Sequence, residues 1–369
     1  MNSSKASFQI DLPEPRPEVK ALNPYTAPLE GRRELLRLDF NENTVGPSPL
    51  VLEALRDIQS SQISIYPEYK GLKQAVANNL NTRGSLTPLT SHQIGLFNGV
   101  DAAIHAIFHA YGDRKDKLLT TIPTFGYYKP CALMQGMEIL TIPYEEGSFK
   151  YPFEKILKEL VENNPKILII CNPNNPTGTT LSTDQILTLA TTSPKTLIVI
   201  DELYEAFSGN SLLPIVDFNI TPNLVVLRSL SKVAGLAGLR IGFAIGNESI
   251  INDIKRVTGP YDVNSFAVQA AFAALSDQQF IDDYVAEVFN AREWIKTKLV
   301  NHNIRHHMNG GNFFLIWPKN NSSKIELSLK SKGILVRKMK DEPLINGSIR
   351  VSIGTTSQMK RFWEVFKEI

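Results

Sequence analysis

The chain has 369 residues, of which 43% are hydrophobic, and its formal net charge at pH 7 is only +2. This length is enough for a large buried core and predicts two domains. Charged residues are spread evenly without a block of lysine and arginine, which disfavours nucleic-acid binding. The two cysteines, Cys131 and Cys171, give no disulfide framework, and the longest apolar runs are too short to cross a bilayer. Because no apolar signal segment begins the chain, we expect a cytoplasmic protein that handles small molecules.

The first segment, residues 1–40, contains prolines at positions 13, 15, 17, 24 and 28 and is predicted to be an extended arm that also joins a smaller domain. A polar loop over 41–47 and a helix over 49–58 follow. Short apolar runs then alternate with helical stretches, at 94–97, 117–121, 139–142, 167–171, 197–200, 224–227 and 241–245. Continuous apolar runs are typical of strands that helices cover on both faces. We therefore predict an α/β fold in which a mainly parallel seven-stranded sheet, with helices on both faces, forms a large domain over 41–264.

Beyond residue 264 the pattern changes. Apolar residues recur at helical spacing from Phe280 to Leu299 and predict a long amphipathic helix. Two candidate strands follow at 312–317 and 348–353, with 333–337 between them. His306 and His307 fall in a polar stretch that we expect to be exposed. The pattern predicts a smaller α+β domain over 265–369.

Chemically active side chains follow the ends of the predicted strands. Ligands of open α/β sheets bind beyond this edge. The residues found there offer an aromatic ring, an amide, a carboxylate, a phenol, two hydroxyls and an amine: Phe125, Asn175, Asp201, Tyr204, Ser229, Ser231 and Lys232. Pyridoxal phosphate requires a lysine that holds it as a Schiff base, an acidic partner for its pyridine nitrogen, an anion site and an aromatic face. The strand ends therefore predict a pyridoxal-phosphate site.

Four segments carry a family resemblance: 172–178, 201–204, 229–240 and 348–354. In this order they resemble the fold-type I, aspartate-aminotransferase-like enzymes that depend on pyridoxal phosphate. The chain is most similar to the histidinol-phosphate aminotransferase group, from about Tyr25 to the carboxy terminus. The resemblance implies an enzyme that transfers an amino group between an amino acid and a keto acid.

The resemblance also implies roles for single residues. Lys232 would hold the cofactor and move the α-proton of the substrate, and Asp201 would pair with the pyridine nitrogen. Tyr204 and Asn175 would hydrogen-bond the ring oxygen, and Phe125 would stack on the ring. The cofactor phosphate would be held by Gly99, Val100, Asp101, Ser229, Ser231 and Arg240. Tyr66 resembles a tyrosine that reaches this phosphate from a second subunit, which predicts a homodimer with shared active sites.

On the substrate side, Arg350 would clamp the α-carboxylate, a task that suits a planar guanidinium. Arg337 and Tyr25 resemble the residues that contact the substrate phosphate in the histidinol-phosphate group, and Asn41 is assigned to the substrate as well. We therefore expect histidinol phosphate and 2-oxoglutarate to give imidazole acetol phosphate and glutamate, a step of histidine biosynthesis.

Three alternatives stay open. Thr44, Val45 and Ala102 depart from the family pattern, so an aromatic aminotransferase acting on phenylalanine or tyrosine is the second hypothesis. A threonine-phosphate decarboxylase-like enzyme is the third. A non-enzymatic, cofactor-binding regulator is disfavoured because the amino-terminal segment is too short for a DNA-binding domain. His105 and His109 have the spacing of a metal pair but lack the glutamate of a zinc-protease helix, so we expect no metal site.

Overall fold

The computed structural model describes residues 12–24, 30–339, 342 and 344–369. In chain order, its strands are β1 (Leu36–Arg37), β2 (Ile94–Phe97), β3 (Lys117–Ile122), β4 (Glu138–Pro143), β5 (Ile167–Cys171), β6 (Leu197–Asp201), β7 (Leu224–Ser229), β8 (Gly242–Gly246), β9 (Arg305–His307), β10 (Phe313–Trp317), β11 (Ile334–Leu335), β12 (Arg337–Lys338) and β13 (Ile349–Ser352). The α-helices are α1 (Pro17–Lys20), α2 (Pro49–Arg56), α3 (Ser60–Ser64), α4 (Lys70–Thr82), α5 (Val100–Tyr111), α6 (Tyr128–Met134), α7 (Phe153–Asn163), α8 (Thr183–Thr192), α9 (Glu248–Lys255), α10 (Ser265–Ser276), α11 (Gln278–Asn301), α12 (Ser322–Ser331) and α13 (Thr356–Phe366).

The largest sheet has seven strands in the order β2-β8-β7-β6-β5-β3-β4. Strand β8 runs antiparallel to β2 and β7, and the other neighbours are parallel. Successive residues of β6 point to opposite faces, so Ile198 and Ile200 join one apolar core while Leu197 and Val199 join another. Burial on both faces explains the continuous apolar runs, and the predicted fold class is confirmed.

A second sheet lies in the carboxy-terminal part of the chain and has four antiparallel strands in the order β12-β13-β10-β9. Strand β1 pairs in parallel with β11 and thereby joins the amino-terminal segment to this region. The predicted long helix is α11, which packs against α13 through apolar side chains such as Ile295 and Phe362. Among the described residues, the helices all lack the combination of length and apolar character that a membrane crossing requires.

Two local predictions were wrong. His306 and His307 are part of β9 rather than an exposed stretch, and the His307 ring lies 4.6 Å from the ring of Phe149. Their polar side chains concealed a strand, which pairs with the apolar strand β10 that follows it in the chain. The amino-terminal arm is also not wholly extended, because a one-turn helix begins at Pro17. Proline is well suited to the first position of a helix, since the N–H group that it lacks would have no partner within the helix there.

Arg292 connects helix α11 to loops from both sheets. Its buried guanidinium donates through Nη2 to the carbonyl of Phe207 at 3.0 Å and to the carbonyl of Gly311. Burial lowers the pKa of Arg292 to about 10, which leaves the group charged at neutral pH. A buried cation held by two backbone carbonyls restricts the relative positions of the loops that carry them.

We predict that Arg292→Met reduces the free energy of unfolding by roughly 1–3 kcal/mol, because two buried carbonyls lose a charged donor. The measurement is the urea midpoint. The control is Lys296→Met, an exposed position on the same helix, which should leave the midpoint unchanged. Equal midpoints for the two variants would show that Arg292 does not make this connection.

Candidate active site

Lys232 follows strand β7 and is partly buried. Its Nζ donates a hydrogen bond to the carbonyl of Phe40 at 2.8 Å. Burial and the nearby charge of Arg350 lower the pKa of Lys232 to about 8, although Glu42 and Asp101 act in the opposite direction. A larger share of the amine is therefore neutral near physiological pH, which is the nucleophilic form.

Asp201 ends strand β6 and is only 2% exposed. Its Oδ2 accepts a hydrogen bond from the hydroxyl of Tyr128 at 2.7 Å, and its Oδ1 accepts one from the N–H of Leu203 at 3.2 Å. Burial raises the pKa of Asp201 to about 6. It forms no salt bridge with any described residue. Such a carboxylate is suited to a cationic N–H group that a ligand supplies.

The hydroxyl of Tyr204 joins several candidate residues in one network. It accepts hydrogen bonds from the side-chain amides of Asn41 at 3.1 Å and Asn175 at 3.3 Å. Asn175 in turn accepts one from Nη1 of Arg350 at 2.6 Å. Burial raises the pKa of Tyr204, so the phenol keeps its proton at neutral pH. Since both lone pairs of its oxygen are in use, this hydroxyl can direct its proton to a ligand.

Asn41 is completely buried, in a left-handed backbone conformation (φ 54°) that asparagine tolerates. Its Oδ1 accepts a hydrogen bond from the Ser352 hydroxyl at 3.1 Å, and its own N–H donates to that hydroxyl at 2.8 Å. The side-chain amide therefore contacts Tyr204 and Ser352, and its assignment to the substrate stays a prediction.

An anion site lies where β2 leads into α5. Gly99 caps this helix with a φ of 80°, and a Cβ atom there would lie 2.5 Å from Nη2 of Arg240. The first N–H groups of α5, those of Val100 and Asp101 among them, have no partner within the helix and favour an anion. Nη2 of Arg240 also lies 2.8 Å from the Asp101 carboxylate.

Two hydroxyls complete this anion site. Ser229 and Ser231 lie 2.8 Å apart through their Oγ atoms. Ser229 ends β7 and faces Gly242 of β8, which in turn faces Phe97 at the end of β2. The sheet register thus brings the two serines beside the start of α5. Backbone donors, hydroxyls and a guanidinium are the groups that bind a phosphate.

Phe125 lies in the loop after β3 and is half-buried. Its ring is 5.5 Å from the ring of Tyr128, whose hydroxyl binds Asp201. Phe125 is therefore linked to the buried carboxylate through Tyr128, and an aromatic ring there suits a planar heterocycle.

Arg350 and Arg337 face each other across strands β13 and β12. Residues directly opposite in an antiparallel pair project from the same face of the sheet. Nη2 of Arg350 donates to the carbonyl of Asp39 at 2.6 Å. Two guanidinium groups on one face repel each other, and an anionic ligand would relieve that repulsion.

Two predicted residues lie apart from these contacts. Tyr25 is outside the described residues. Tyr66 is 69% exposed and stacks on Tyr261 with ring centroids 3.9 Å apart. Its contact with a cofactor in a neighbouring subunit stays a prediction.

Comparison with known proteins gives the family. Residues 33–366 match the family described as aminotransferase class I and II. The chain belongs to the class I and II aminotransferases. A histidinol-phosphate aminotransferase of Ruminiclostridium cellulolyticum is 30% identical over 349 residues, 93% of this chain and 94% of that protein. One from Macrococcus caseolyticus is 32% identical over 362 residues, 95% of this chain and 98% of that protein.

Solved structures agree on the fold of this aminotransferase. The histidinol-phosphate aminotransferase of Sinorhizobium meliloti, in complex with pyridoxal-5'-phosphate, aligns with a TM-score of 0.84 at 24% identity over 99% of this chain and 98% of that one. A mutant aspartate aminotransferase of Thermus thermophilus aligns with a TM-score of 0.80 at 19% identity over 97% of this chain and 99% of that one. The resemblance stated from the sequence is confirmed, and by its family the chain is a pyridoxal-phosphate-dependent aminotransferase.

The described residues of this aminotransferase fit its cofactor. Close packing at Gly99 leaves no room for a side chain over the anion site. Asp201 is a buried carboxylate that no described cation neutralises, and Lys232 is an amine with a lowered pKa. Each group suits a different part of pyridoxal phosphate: its phosphate, its ring nitrogen and its aldehyde.

Sequence reasoning missed several residues around this aminotransferase site. Tyr128 received no role, although a tyrosine placed just after a strand-end loop was a signal for a hydrogen bond to the site. Asp39 and Phe40 gave no signal, and Ser352 received no role of its own within its matching segment. Their contacts join positions far apart in the chain, such as Phe40 with Lys232.

We predict that the rate at which Lys232 captures pyridoxal phosphate rises with pH and levels off just above pH 8. The protonated amine is unreactive, and burial brings its pKa from 10.5 to about 8. The measurement is the growth of visible absorbance after the cofactor is added to cofactor-free protein. Lys232→Ala serves as the blank and should show no such growth. A rate that keeps climbing up to pH 10 in the native chain would mean that the amine has an ordinary pKa.

Proposed function

We propose that this enzyme transfers the amino group of histidinol phosphate to 2-oxoglutarate, giving imidazole acetol phosphate and glutamate. The observation that carries the proposal is the facing pair Arg337 and Arg350, connected through Asn175 to Tyr204. The names of the relatives support it, since both sequence relatives described above are histidinol-phosphate aminotransferases.

Histidinol phosphate carries a phosphate ester where glutamate carries its α-carboxylate. A phosphate dianion suits two guanidinium groups, whereas a single bidentate arginine is enough for a carboxylate. We assign the carboxylate to Arg350 and the additional charge of the phosphate to Arg337. The repulsion between the two cations then favours the more highly charged substrate.

The proposed mechanism gives each residue one task. Pyridoxal phosphate supplies an electron sink for the bonds to the substrate's α-carbon. Lys232 holds the cofactor and then moves the proton at that carbon, which its lowered pKa allows near neutral pH. Asp201 would accept a hydrogen bond from the cofactor's ring nitrogen and would stabilise its charged form. Tyr204 would donate to the ring oxygen, while Phe125 would pack against the ring.

The cofactor's phosphate is assigned to the anion site at the start of α5. In this proposal the phosphate accepts hydrogen bonds from the N–H groups of Val100 and Asp101 and from three side chains: Ser229, Ser231 and Arg240. The positive end of the helix adds to the attraction. Gly99 lets the backbone come close to the phosphate.

We also propose a homodimer in the cytoplasm. Tyr66 lies among exposed apolar side chains, including Ile63, Ile65 and Tyr261, and such a cluster is typical of a protein interface. Within its own chain the ring of Tyr66 stacks on Tyr261. We assign its hydroxyl to a hydrogen bond with the cofactor phosphate of a second subunit. The two buried free cysteines and the biosynthetic relatives support a reducing compartment.

We further propose that 41–264 is the large cofactor-binding domain and 265–369 the small one, with 1–40 as an arm that joins the latter. The seven-stranded sheet lies between residues 94 and 246, which supports this division. The pairing of β1 with β11 supports the role of the arm.

The substrate is tested by half-reactions with the cofactor-loaded enzyme. Histidinol phosphate should change the visible spectrum at lower concentration than phenylalanine, tyrosine or threonine phosphate do. Arg337→Ala should weaken the response to histidinol phosphate about tenfold or more and leave that to phenylalanine within about twofold, because only the former carries a phosphate. Equal losses for both donors would exclude the phosphate contact of Arg337, and a preference for phenylalanine would favour an aromatic aminotransferase.

The shared site is tested by coexpressing two inactive variants, Lys232→Ala and Tyr66→Ala. In a mixed dimer, one site combines the native Lys232 of one subunit with the native Tyr66 of the other. We expect the mixture to recover about one quarter of the native activity, because half of the dimers are mixed and each has one intact site. A mixture no more active than its parents would contradict the shared site.

A further inference from the structure

The segment Asp39–Glu42 crosses the site and contacts three of its assigned side chains. The carbonyl of Phe40 accepts a hydrogen bond from Lys232, and the carbonyl of Asp39 accepts one from Arg350. The Asn41 amide binds Tyr204. Backbone groups at 39 and 40 therefore serve the site whatever their side chains are, and the ring of Phe40 is left for another task.

The ring of Phe40 lies close to two guanidinium groups. The Cζ atom of Arg32 is 4.2 Å from the ring centroid, and the Cζ atom of Arg337 is 5.4 Å from it. Both distances are within the range of a cation–π interaction. One aromatic ring thus links a residue of the amino-terminal segment with Arg337 on strand β12.

The two arginines differ in how their charge is compensated. Arg32 is held by the carboxylate of Asp39, at 3.0 and 2.7 Å, and by that of Glu42, at 3.3 and 2.9 Å. Arg337 forms no salt bridge within the part of the chain that the structure describes. Arg32 therefore fixes the ring, while the charge of Arg337 remains available to an anion.

The position of Arg337 makes such a support necessary. Strand β12 is the edge strand of its sheet and is two residues long, so it holds its side chains less firmly than a central strand does. A long side chain at an edge loses conformational freedom when it binds a ligand, and a ring that restricts it beforehand reduces that cost.

We propose that Phe40 is a specificity-determining positioning residue, whose ring, fixed by Arg32, holds the Arg337 guanidinium ready for the phosphate of the substrate. The inference rests on the proposed function, because it concerns the same substrate phosphate. It adds a residue whose side chain is assigned no contact with the cofactor or with the reacting atoms, while its backbone carbonyl binds Lys232.

The first experiment compares Phe40→Leu with Phe40→Tyr in the cofactor-loaded enzyme. Leucine keeps the backbone carbonyl and most of the apolar volume but removes the π face, whereas tyrosine keeps that face. We expect leucine to raise the Kd of histidinol phosphate by about 3- to 30-fold and tyrosine to stay within about twofold of the native value. Most of the effect should fall on Kd rather than on the limiting rate, and the pH dependence of the cofactor's absorbance should be retained. An unchanged Kd for the leucine variant would overturn the proposal, whether or not that pH dependence changes.

The second experiment is a double-mutant cycle with Arg337→Ala. If Phe40 acts through Arg337, Phe40→Leu should change the Kd less than about twofold once Arg337 is absent. Equal losses in both backgrounds would mean that Phe40 affects binding independently of Arg337, and the proposal would fail.

Failure of the proposed function is recognised separately. If the native enzyme gives no spectral response to histidinol phosphate, that substrate assignment is wrong. The same cycle is then run with inorganic phosphate as a competitor of the glutamate half-reaction. Coupling between positions 40 and 337 in phosphate inhibition would support the role of Phe40, and inhibition that is absent or independent of Arg337 would exclude it.

Discussion

Burial of both faces of the seven-stranded sheet is the constraint from which the site follows. The inner strands can carry almost no polar side chains along their length, because neither face meets water. Polar groups are confined to the positions where strands end. Since β5, β6 and β7 are adjacent, Asn175, Asp201 and Lys232 come from loops that leave the same edge. The hydrophobic core thus determines where polar chemistry can be located.

The carboxy-terminal sheet supplies what this edge lacks. It places Arg350 and Arg337 directly opposite each other on neighbouring strands. The segment from Asp39 to Glu42 lies between the two parts and forms hydrogen bonds with both Lys232 and Arg350. Cofactor groups and substrate groups therefore come from different sheets, and one short stretch of backbone sets their relative position.

Burial acts on the two central titratable groups in the same physical way. It disfavours the charged form of each, so the pKa of Asp201 is raised to about 6 and that of Lys232 is lowered to about 8. Both values move toward neutrality. Each group is consequently sensitive to a charge brought by a ligand, and a bound ring nitrogen or phosphate would have a larger effect here than at the protein surface.

The sequence was sufficient for features that depend on local pattern. The apolar run before Asp201 predicted a buried strand, and the strand ends pointed to Lys232 and Asp201 because few packing roles explain such residues there. It was insufficient where the interaction joins distant positions. Phe40 and Lys232 are separated by 192 residues, and no periodicity marks their contact. Tyr128 was overlooked because its contact with Asp201 also joins distant positions. Strand β9 was missed for another reason: its residues are polar, and it is a strand because it pairs with β10.

The hydrogen bond between Lys232 and the Phe40 carbonyl has a consequence for how such an enzyme can diverge. Any amino acid provides a backbone carbonyl, so the partner of the lysine is retained when the side chain at position 40 changes. The same position presents its side chain toward Arg337. At position 40, therefore, the backbone binds the catalytic lysine and the side chain affects the substrate, and the side chain can change without changing the backbone contact. Substitutions at this position can therefore alter substrate preference while Lys232 keeps its hydrogen-bond partner.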